Sequence, residues 1–416
     1  MQFIDLFAGA GGLSEGFIRA GFKPVAHVEM DRAACYTLKT RIAYHHLKAA
    51  GKLDVYKDYL KGAIDRETLY THIPSRSLDS VINAKIDKET IQPIFRAVDT
   101  LAEGKGIDAI IGGPPCQAYS LVGRARDENS MRGDERNYLY KYYGQFLNRY
   151  KPKVFVFENV LGLLTAEKGK YLRNMKGYFK RIGYDLEHVV LNARDFGVLQ
   201  NRKRILIIGR RKDTGKLTMP EFTAENWHYR VTDLLNDLPN LQQGQGMIKG
   251  VRYAGRTTEY LKRSAIRNGL DVITQHCARP HTKQDLTIYK LAVQAWDREG
   301  GRLNYAKLPA NLRTHKNTST FLDRFKVVAG DQPHSHTIVA HISRDGHHYI
   351  HPDIKQNRSL TVREAARLQS FPDDFYFEGI KETNPRTASF KQIGNAVPPL
   401  MAEKIASAIS RMLLNP

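Results

Sequence analysis

The first two hundred residues alternate short, branched-rich apolar runs with helix-length segments, and this rhythm constrains the chain most. Phe3-Ile4-Asp5-Leu6-Phe7 reads as a buried strand and runs into the turn Gly9-Ala10-Gly11-Gly12. Leu13 to Ala20 has helical periodicity and stops at Gly21, a residue suited to ending a helix. Val25 to Glu29 reads as a second strand, and Ile107 to Ile111, Val154 to Glu158 and Arg204 to Gly209 as further ones. Strands separated by helices pair in parallel. The pattern therefore predicts an α/β fold, a doubly wound and mostly parallel sheet with helices on both faces.

Residues 40–85 fit the rhythm poorly and read as a polar, largely helical insertion. After Gly209 the alternation fades into a stretch rich in Gln, Gly, Arg and Asn, and it resumes near Arg358 with helices at Val362 to Gln369 and Pro399 to Leu414. The expected layout is a sheet domain over 1–224, a smaller inserted domain over 225–350, and completion of the sheet domain by 351–416. Charge sharpens this division. The chain carries 64 Lys and Arg against 43 Asp and Glu, a net +21. Residues 241–330 hold 16 basic and 6 acidic side chains, so about a fifth of the length supplies +10. Such a segment favours a polyanionic partner, nucleic acid before membrane. No apolar run approaches the ~20 residues of a membrane helix, which excludes an integral membrane protein of that kind. The N-terminus lacks a basic leader and only three cysteines occur, Cys35, Cys116 and Cys277, so we expect a reducing, cytoplasmic setting.

Several positions carry chemistry. The glycine turn puts backbone where a ligand can approach closely, although Ser14 holds the third position of a dinucleotide fingerprint. Glu29 ends the second strand, where a carboxylate can accept from both hydroxyls of a ribose. Gly112-Gly113-Pro114-Pro115-Cys116-Gln117 follows a strand directly, and its two prolines stiffen the approach to a cysteine at the strand's carboxyl end. Val156-Phe157-Glu158-Asn159-Val160 brings an acid and an amide to the same edge. In Gln200-Asn201-Arg202-Lys203-Arg204 the two arginines lie two apart, so in extended chain both guanidinium groups point to one face. Six histidines between His334 and His351, and His276-Cys277 before His281, lack paired ligand spacing, so no metal is expected.

Together these blocks resemble the DNA cytosine-5 methyltransferases of bacterial restriction-modification systems. The resemblance covers Asp5 to Gly12, Gly113 to Gln117, Glu158 to Val160 and Gln200 to Arg204. It continues through Arg363-Glu364-Ala365-Ala366-Arg367-Leu368-Gln369 with Phe371-Pro372, and through Gln392 to Pro399. By that resemblance the fold is a Rossmann-like S-adenosylmethionine-dependent methyltransferase and the partner is double-stranded DNA, whose target cytosine is flipped out of the duplex. Cys116 is then the nucleophile at cytosine C6 and Glu158 holds N3 and the exocyclic amine. Of Arg202 and Arg204, one meets the base carbonyl or its phosphate and the other orients the acid. S-adenosylmethionine would lie over Phe7, Ala8, Gly9, Gly11, Gly12 and Pro115, with Glu29 on the ribose, Asp87 on the adenine amine, Leu139 touching it on closure and Asn395 closing the site. Gln117 to Arg136 matches the family's mobile catalytic loop, with Tyr119 in place of the usual Phe or Trp. Residues 225–350 match its target-recognition domain, with Thr337-Ile338 as a Thr-Leu-type pair. The resemblance further implies a monomer and a restriction endonuclease encoded nearby. The alternatives are a tRNA cytosine-5 methyltransferase, disfavoured by the large basic insertion, and a catalytically silent DNA-binding regulator, which would be expected to lose Cys116 or Glu158.

Overall fold

The computed structural model describes residues 1–115, 139–315 and 317–414. Seven strands form the central sheet: β1 (Gln2–Leu6), β2 (Lys23–Glu29), β3 (Val81–Asn83), β4 (Ala109–Gly112), β5 (Val154–Asn159), β6 (Tyr184–Asn192) and β7 (Lys203–Arg211). Their spatial order is β3-β2-β1-β4-β5-β7-β6. All pairs from β3 to β5 are parallel, while β7 pairs antiparallel with both β5 and β6, so β7 alone runs against the rest. The expected mostly parallel, Rossmann-like sheet is what the chain forms.

Two of these strands carry no clear signal in the sequence. β3 has three residues at one edge, too few for a pattern. β6, at the other edge, exposes Glu187 and His188 at its middle, which breaks its apolar run.

Each face of the sheet is covered by helices whose apolar stripes it buries. Helices Ile91–Ala102, Leu139–Tyr150 and Lys170–Arg181 pack Phe95, Phe146 and Phe179 against Ile4, Ile110 and Phe155. On the other face, helix Gly12–Arg19 and the C-terminal helix Pro399–Leu414 bring Phe17, Met401 and Ile405 onto Phe3, Ile111 and Val156. The last helix thus completes the face that the first one begins. Gly16 allows this, because a Cβ there would sit 2.4 Å from the backbone of Ala402.

Residues 40–85 are not a polar appendage. Helix Arg32–Ala49 continues through residue 40, and with helices Leu53–Lys61 and Arg66–Thr71 it encloses Tyr44, Tyr56, Tyr59, Leu60 and Leu69. Leu270, Val272 and Tyr376 share this core. The segment reads as polar because tyrosine supplies much of its apolar area, with the Tyr56 hydroxyl donating to the Asp374 carbonyl at 2.7 Å.

The basic segment opens inside a shared core, where Val231, Leu234, Tyr260 and Ile266 pack with Val362, Leu368, Phe371 and Phe390. Farther along, helix Lys283–Glu299 builds a separate core with Tyr305, Phe325 and Ile350. Among the described residues no helix is long and apolar enough to cross a membrane.

Candidate active site

In a parallel α/β sheet ligands gather at the carboxyl ends of the strands, beside the point where strand order reverses. Here that point lies at β1, whose neighbours β2 and β4 continue to opposite edges. Phe7, just beyond β1, adopts φ +58°, and Gly9 and Gly11 follow at φ +56° and +80°. The left-handed turn closes through the Gly11 N–H donating to the Ala8 carbonyl at 2.9 Å. A Cβ on Gly9 would project into open space, whereas one on Gly12 would lie 2.2 Å from the Val397 carbonyl. One side of the turn is therefore free for a ligand and the other is seated on the C-terminal segment. Ser14, the departure from the glycine fingerprint, hydrogen-bonds His27 Nε2 at 2.7 Å, and burial pushes that imidazole down to about 4.

Glu29 is aimed at this turn. Its two oxygens accept from the Gly9 N–H at 2.8 Å and the Asp31 N–H at 2.7 Å. Burial raises its carboxyl above the ordinary range, against these amide bonds, which lower it. Behind it Asp5 is buried with its carboxyl well above the usual value, through desolvation and the neighbouring Glu29; its Oδ2 has no hydrogen-bond partner among the described residues. A glycine cradle with a free side and a fixed carboxylate one strand away fits a nucleoside with its ribose hydroxyls. Asp87 is placed differently. Its Oδ1 accepts from the Glu89 and Thr90 N–H groups, each at 3.1 Å, so it caps the turn before helix Ile91–Ala102. Asn395 is exposed at the end of helix Arg386–Asn395, and Leu139 is buried at the start of helix Leu139–Tyr150.

The next two strands supply an acid and its cation. Glu158 sits near the end of β5, and because β7 is antiparallel to β5, the beginning of β7 falls at the same edge. Arg204 Nε meets Glu158 Oε1 at 2.8 Å. The other oxygen lies against Gly113: a Cβ there would be 2.6 Å from Glu158 Oε2. Desolvation raises the Glu158 carboxyl above the ordinary range, and the nearby Arg204 and Arg202 only partly offset it. Asn159 Nδ2 donates to the Pro114 carbonyl at 3.2 Å and so fixes the start of the Pro-Pro step. Pro115 is the last described residue before Cys116, which lies outside the described residues, as does the expected loop 117–136. Of the other cysteines, Cys35 is buried and its thiol is pushed up to about 12, unsuited to a thiolate.

The two arginines lie near the same acid but are used differently, and Arg202 is spent on backbone rather than on the base or the acid. Its side chain is fully buried and donates to the Ile338 carbonyl at 2.6 Å and to those of Gly394 and Ala396 at 3.0 and 2.8 Å. A guanidinium that donates to three carbonyls joins the basic segment to the C-terminal one, and among the described residues Arg204 is the cation that ion-pairs with the acid. Gln200 reinforces that join, accepting from the Ile338 N–H and donating to the Leu368 carbonyl. Sequence reasoning brought Asn159 to this edge and Asp5 into the first block without giving either a role, and it missed the seat at Gly113. The adjacent glycines before Pro-Pro were the available signal for the last.

The family of C-5 cytosine-specific DNA methylases matches residues 1–65 and 48–411. The type II methyltransferase M.Bpa9945I of Bacillus paralicheniformis is 41% identical over 454 aligned positions, covering 99% of each chain. M1.HphI of Haemophilus parahaemolyticus is 32% identical over 415 positions, with all of this chain and 88% of that one covered. A candidate DNA modification methyltransferase of an E. coli prophage shares the fold at TM-score 0.63 and 23% identity, over the full length of both chains. With the glycine cradle, the strand-edge acid and this match in hand, the chain belongs to the C-5 cytosine-specific DNA methylase family and is a DNA cytosine-5 methyltransferase.

Proposed function

We propose that this enzyme methylates C5 of a flipped-out cytosine at one specific duplex DNA sequence, through a covalent bond from Cys116 to C6, as the modification half of a restriction-modification system. The observation that carries the reading is the Glu158 carboxyl held between Arg204 and Gly113, on the same sheet edge as the Glu29 cradle. The open side of the glycine turn and the ribose-ready carboxylate fit S-adenosylmethionine. That cofactor supplies an electrophilic methyl group on a sulfonium.

Cytosine C5 is too electron-poor to take the methyl group unaided. Addition of the Cys116 thiolate to C6 gives the ring enamine character, and negative charge builds toward N3; once C5 carries the methyl group, loss of the C5 proton to a base expels the thiolate and restores the aromatic ring. A carboxyl that burial pushes above its ordinary range suits that moment: Glu158 donates to N3 and its other oxygen accepts from the exocyclic amine. Arg204 orients the acid, and Asn159 holds Pro114 two residues before the nucleophile. Phe7, Ala8, Gly9, Gly11, Gly12 and Pro115 form the floor for the donor, with Leu139 and Asn395 at its margins. Asp87, already engaged as a cap, would reach the adenine amine through its remaining lone pairs. Residues 225–350 read the DNA sequence.

The test is methylation of a plasmid followed by bisulfite sequencing, which returns activity, target base and recognition site together. Cys116→Ser should abolish transfer while S-adenosylmethionine still binds, since an alcohol is scarcely ionised at neutral pH. A duplex with 5-fluorocytosine at the target should trap a covalent complex. Substantial turnover by the serine variant would overturn the nucleophile.

A further inference from the structure

Among the described residues the most exposed large apolar side chain lies in the basic segment. Phe321 is 72% exposed and its backbone sits at φ +54°, a conformation that bulky L-residues rarely adopt. It is not a loose tip. Arg324, itself buried, donates from Nε to the Phe321 carbonyl at 3.0 Å and from one terminal nitrogen to the Asn317 and Thr320 carbonyls at 2.6 and 2.9 Å. The same guanidinium stacks 4.1 Å above the Tyr305 ring, and the Leu322 carbonyl accepts from the Tyr305 N–H at 2.7 Å. Asn317 Oδ1 accepts from the Ser319 and Thr320 N–H groups, closing the turn from within. The fold therefore braces a strained turn whose outward product is an exposed phenyl ring. Persistent strain in a braced turn is a reason to look for function there.

The surroundings say what the ring meets. From Pro309 to Leu322 there is no acidic residue, and the side chains offered are Asn, Thr, Ser, His and cations. The nearest acid, Asp323, is neutralised by Lys326 at 2.8 Å and Arg302 at 3.2 Å. The chain that follows the turn reaches the active edge: the Lys326 N–H donates to the His347 carbonyl, His336 Nε2 bonds the His348 carbonyl, and the Thr337 hydroxyl donates to the Asn201 carbonyl. An aromatic ring set in acid-free, hydrogen-bonding, cationic surface has the composition of a base-stacking platform. We infer that Phe321 stacks on a nucleobase of the bound duplex and holds it unpaired or kinked while the target cytosine is out, which makes the Asn317–Leu322 turn part of the DNA-reading surface. This rests on the proposed reading of residues 225–350 as the DNA reader.

The experiment uses the full chain and a short duplex carrying the site found by bisulfite sequencing. Phe321→Ala should weaken binding of that duplex about 5- to 150-fold, the range expected for removing one base–aromatic stack, with S-adenosylmethionine affinity unchanged. Phe321→Trp should restore binding, and the emission of the introduced indole, against the parent's Trp227 and Trp296 background, should be quenched when the duplex binds. Phe321→Asn separates function from fold: Asn tolerates the left-handed turn, so the variant should melt no lower than the parent yet bind DNA as poorly as the alanine variant. Parental DNA binding by both Phe321→Ala and Phe321→Asn, or an indole that stays as open to iodide with DNA as without it, would overturn the inference while leaving the methyltransferase reading intact. A parent chain that leaves plasmid DNA unmethylated and binds no duplex, while methylating RNA, would bring down the DNA reading and this inference with it.

Discussion

Gly113 shows how much a single hydrogen can decide. Its φ is not in the left-handed region, so alanine is conformationally permitted, and the cost of Gly113→Ala falls on the one neighbour a methyl would meet, Glu158 Oε2 at 2.6 Å. We expect a small change in melting temperature and at least a tenfold loss in single-turnover methylation, because a misplaced acid loses alignment before the fold loses stability. Arg204 tests the proton. Burial raises the Glu158 carboxyl and Arg204 is the largest lowering influence, so Arg204→Gln should raise it further. If the protonated acid acts, the alkaline limb of the rate–pH profile moves to higher pH even as the plateau rate falls; a limb that moves down would show that the ionised form acts. The acid itself was legible from its strand-end position. What Arg202 does was not, because alternation places two side chains on one face but says nothing of the carbonyls that distant segments bring to one of them.

Helix Val362–Leu368 makes the same point for an element. The block Arg363-Glu364-Ala365-Ala366-Arg367-Leu368-Gln369 belongs to the family's pattern, yet every residue of the helix is buried and its charged groups serve the scaffold. Thr361 and Glu364 cap each other, Glu364 receives Arg358 on both oxygens at 2.8 and 2.7 Å, and Arg367 links Asp373 with Asp237 of the basic segment. Those contacts hold the Glu364 carboxyl well below the carboxylate range. Glu364→Gln leaves Arg358 buried without its counter-charge and should cost about 3–5 kcal/mol in denaturant unfolding at neutral pH. A depressed carboxyl stabilises the fold above its unfolded-state value near 4 and loses that effect as pH falls, so parent and variant should converge in acid. Elements with a clean apolar period, such as β1 or the helix Pro399–Leu414, could be read directly. The tyrosine-lined helices after Arg32 could not, since the ring that fills a core and the hydroxyl that hides it from a hydrophobicity pattern belong to the same side chain.

Across the whole molecule, net charge points to a polyanion but overstates how much of it is free to bind one. Within 241–330, Arg279 and Arg324 are buried on carbonyls and Arg267 is paired with Asp237 and Asp271. Arg252, Arg256, Lys290, Lys307 and Arg313 are exposed. Neutralising these five should weaken DNA binding and flatten the slope of log K against log salt by about 0.9 for each phosphate left without its cation, with S-adenosylmethionine affinity unchanged. An unaltered slope would move the DNA surface elsewhere. Glu29, Glu158 and Arg204 could be placed at one sheet edge from the sequence because each lies at a strand end; the walls around them could not, since they depend on pairings such as Gly12 with Val397 and Arg202 with Gly394. One such pairing, the Val397 carbonyl against Gly12, sets an order of events during synthesis. The glycine turn leaves the ribosome almost four hundred residues before its supporting wall. A nascent or truncated chain ending before Ala396 and Val397 thus carries the donor floor without its backing, and an amino-terminal fragment of that kind should take up the methyl donor only when the carboxyl-terminal piece is supplied in trans.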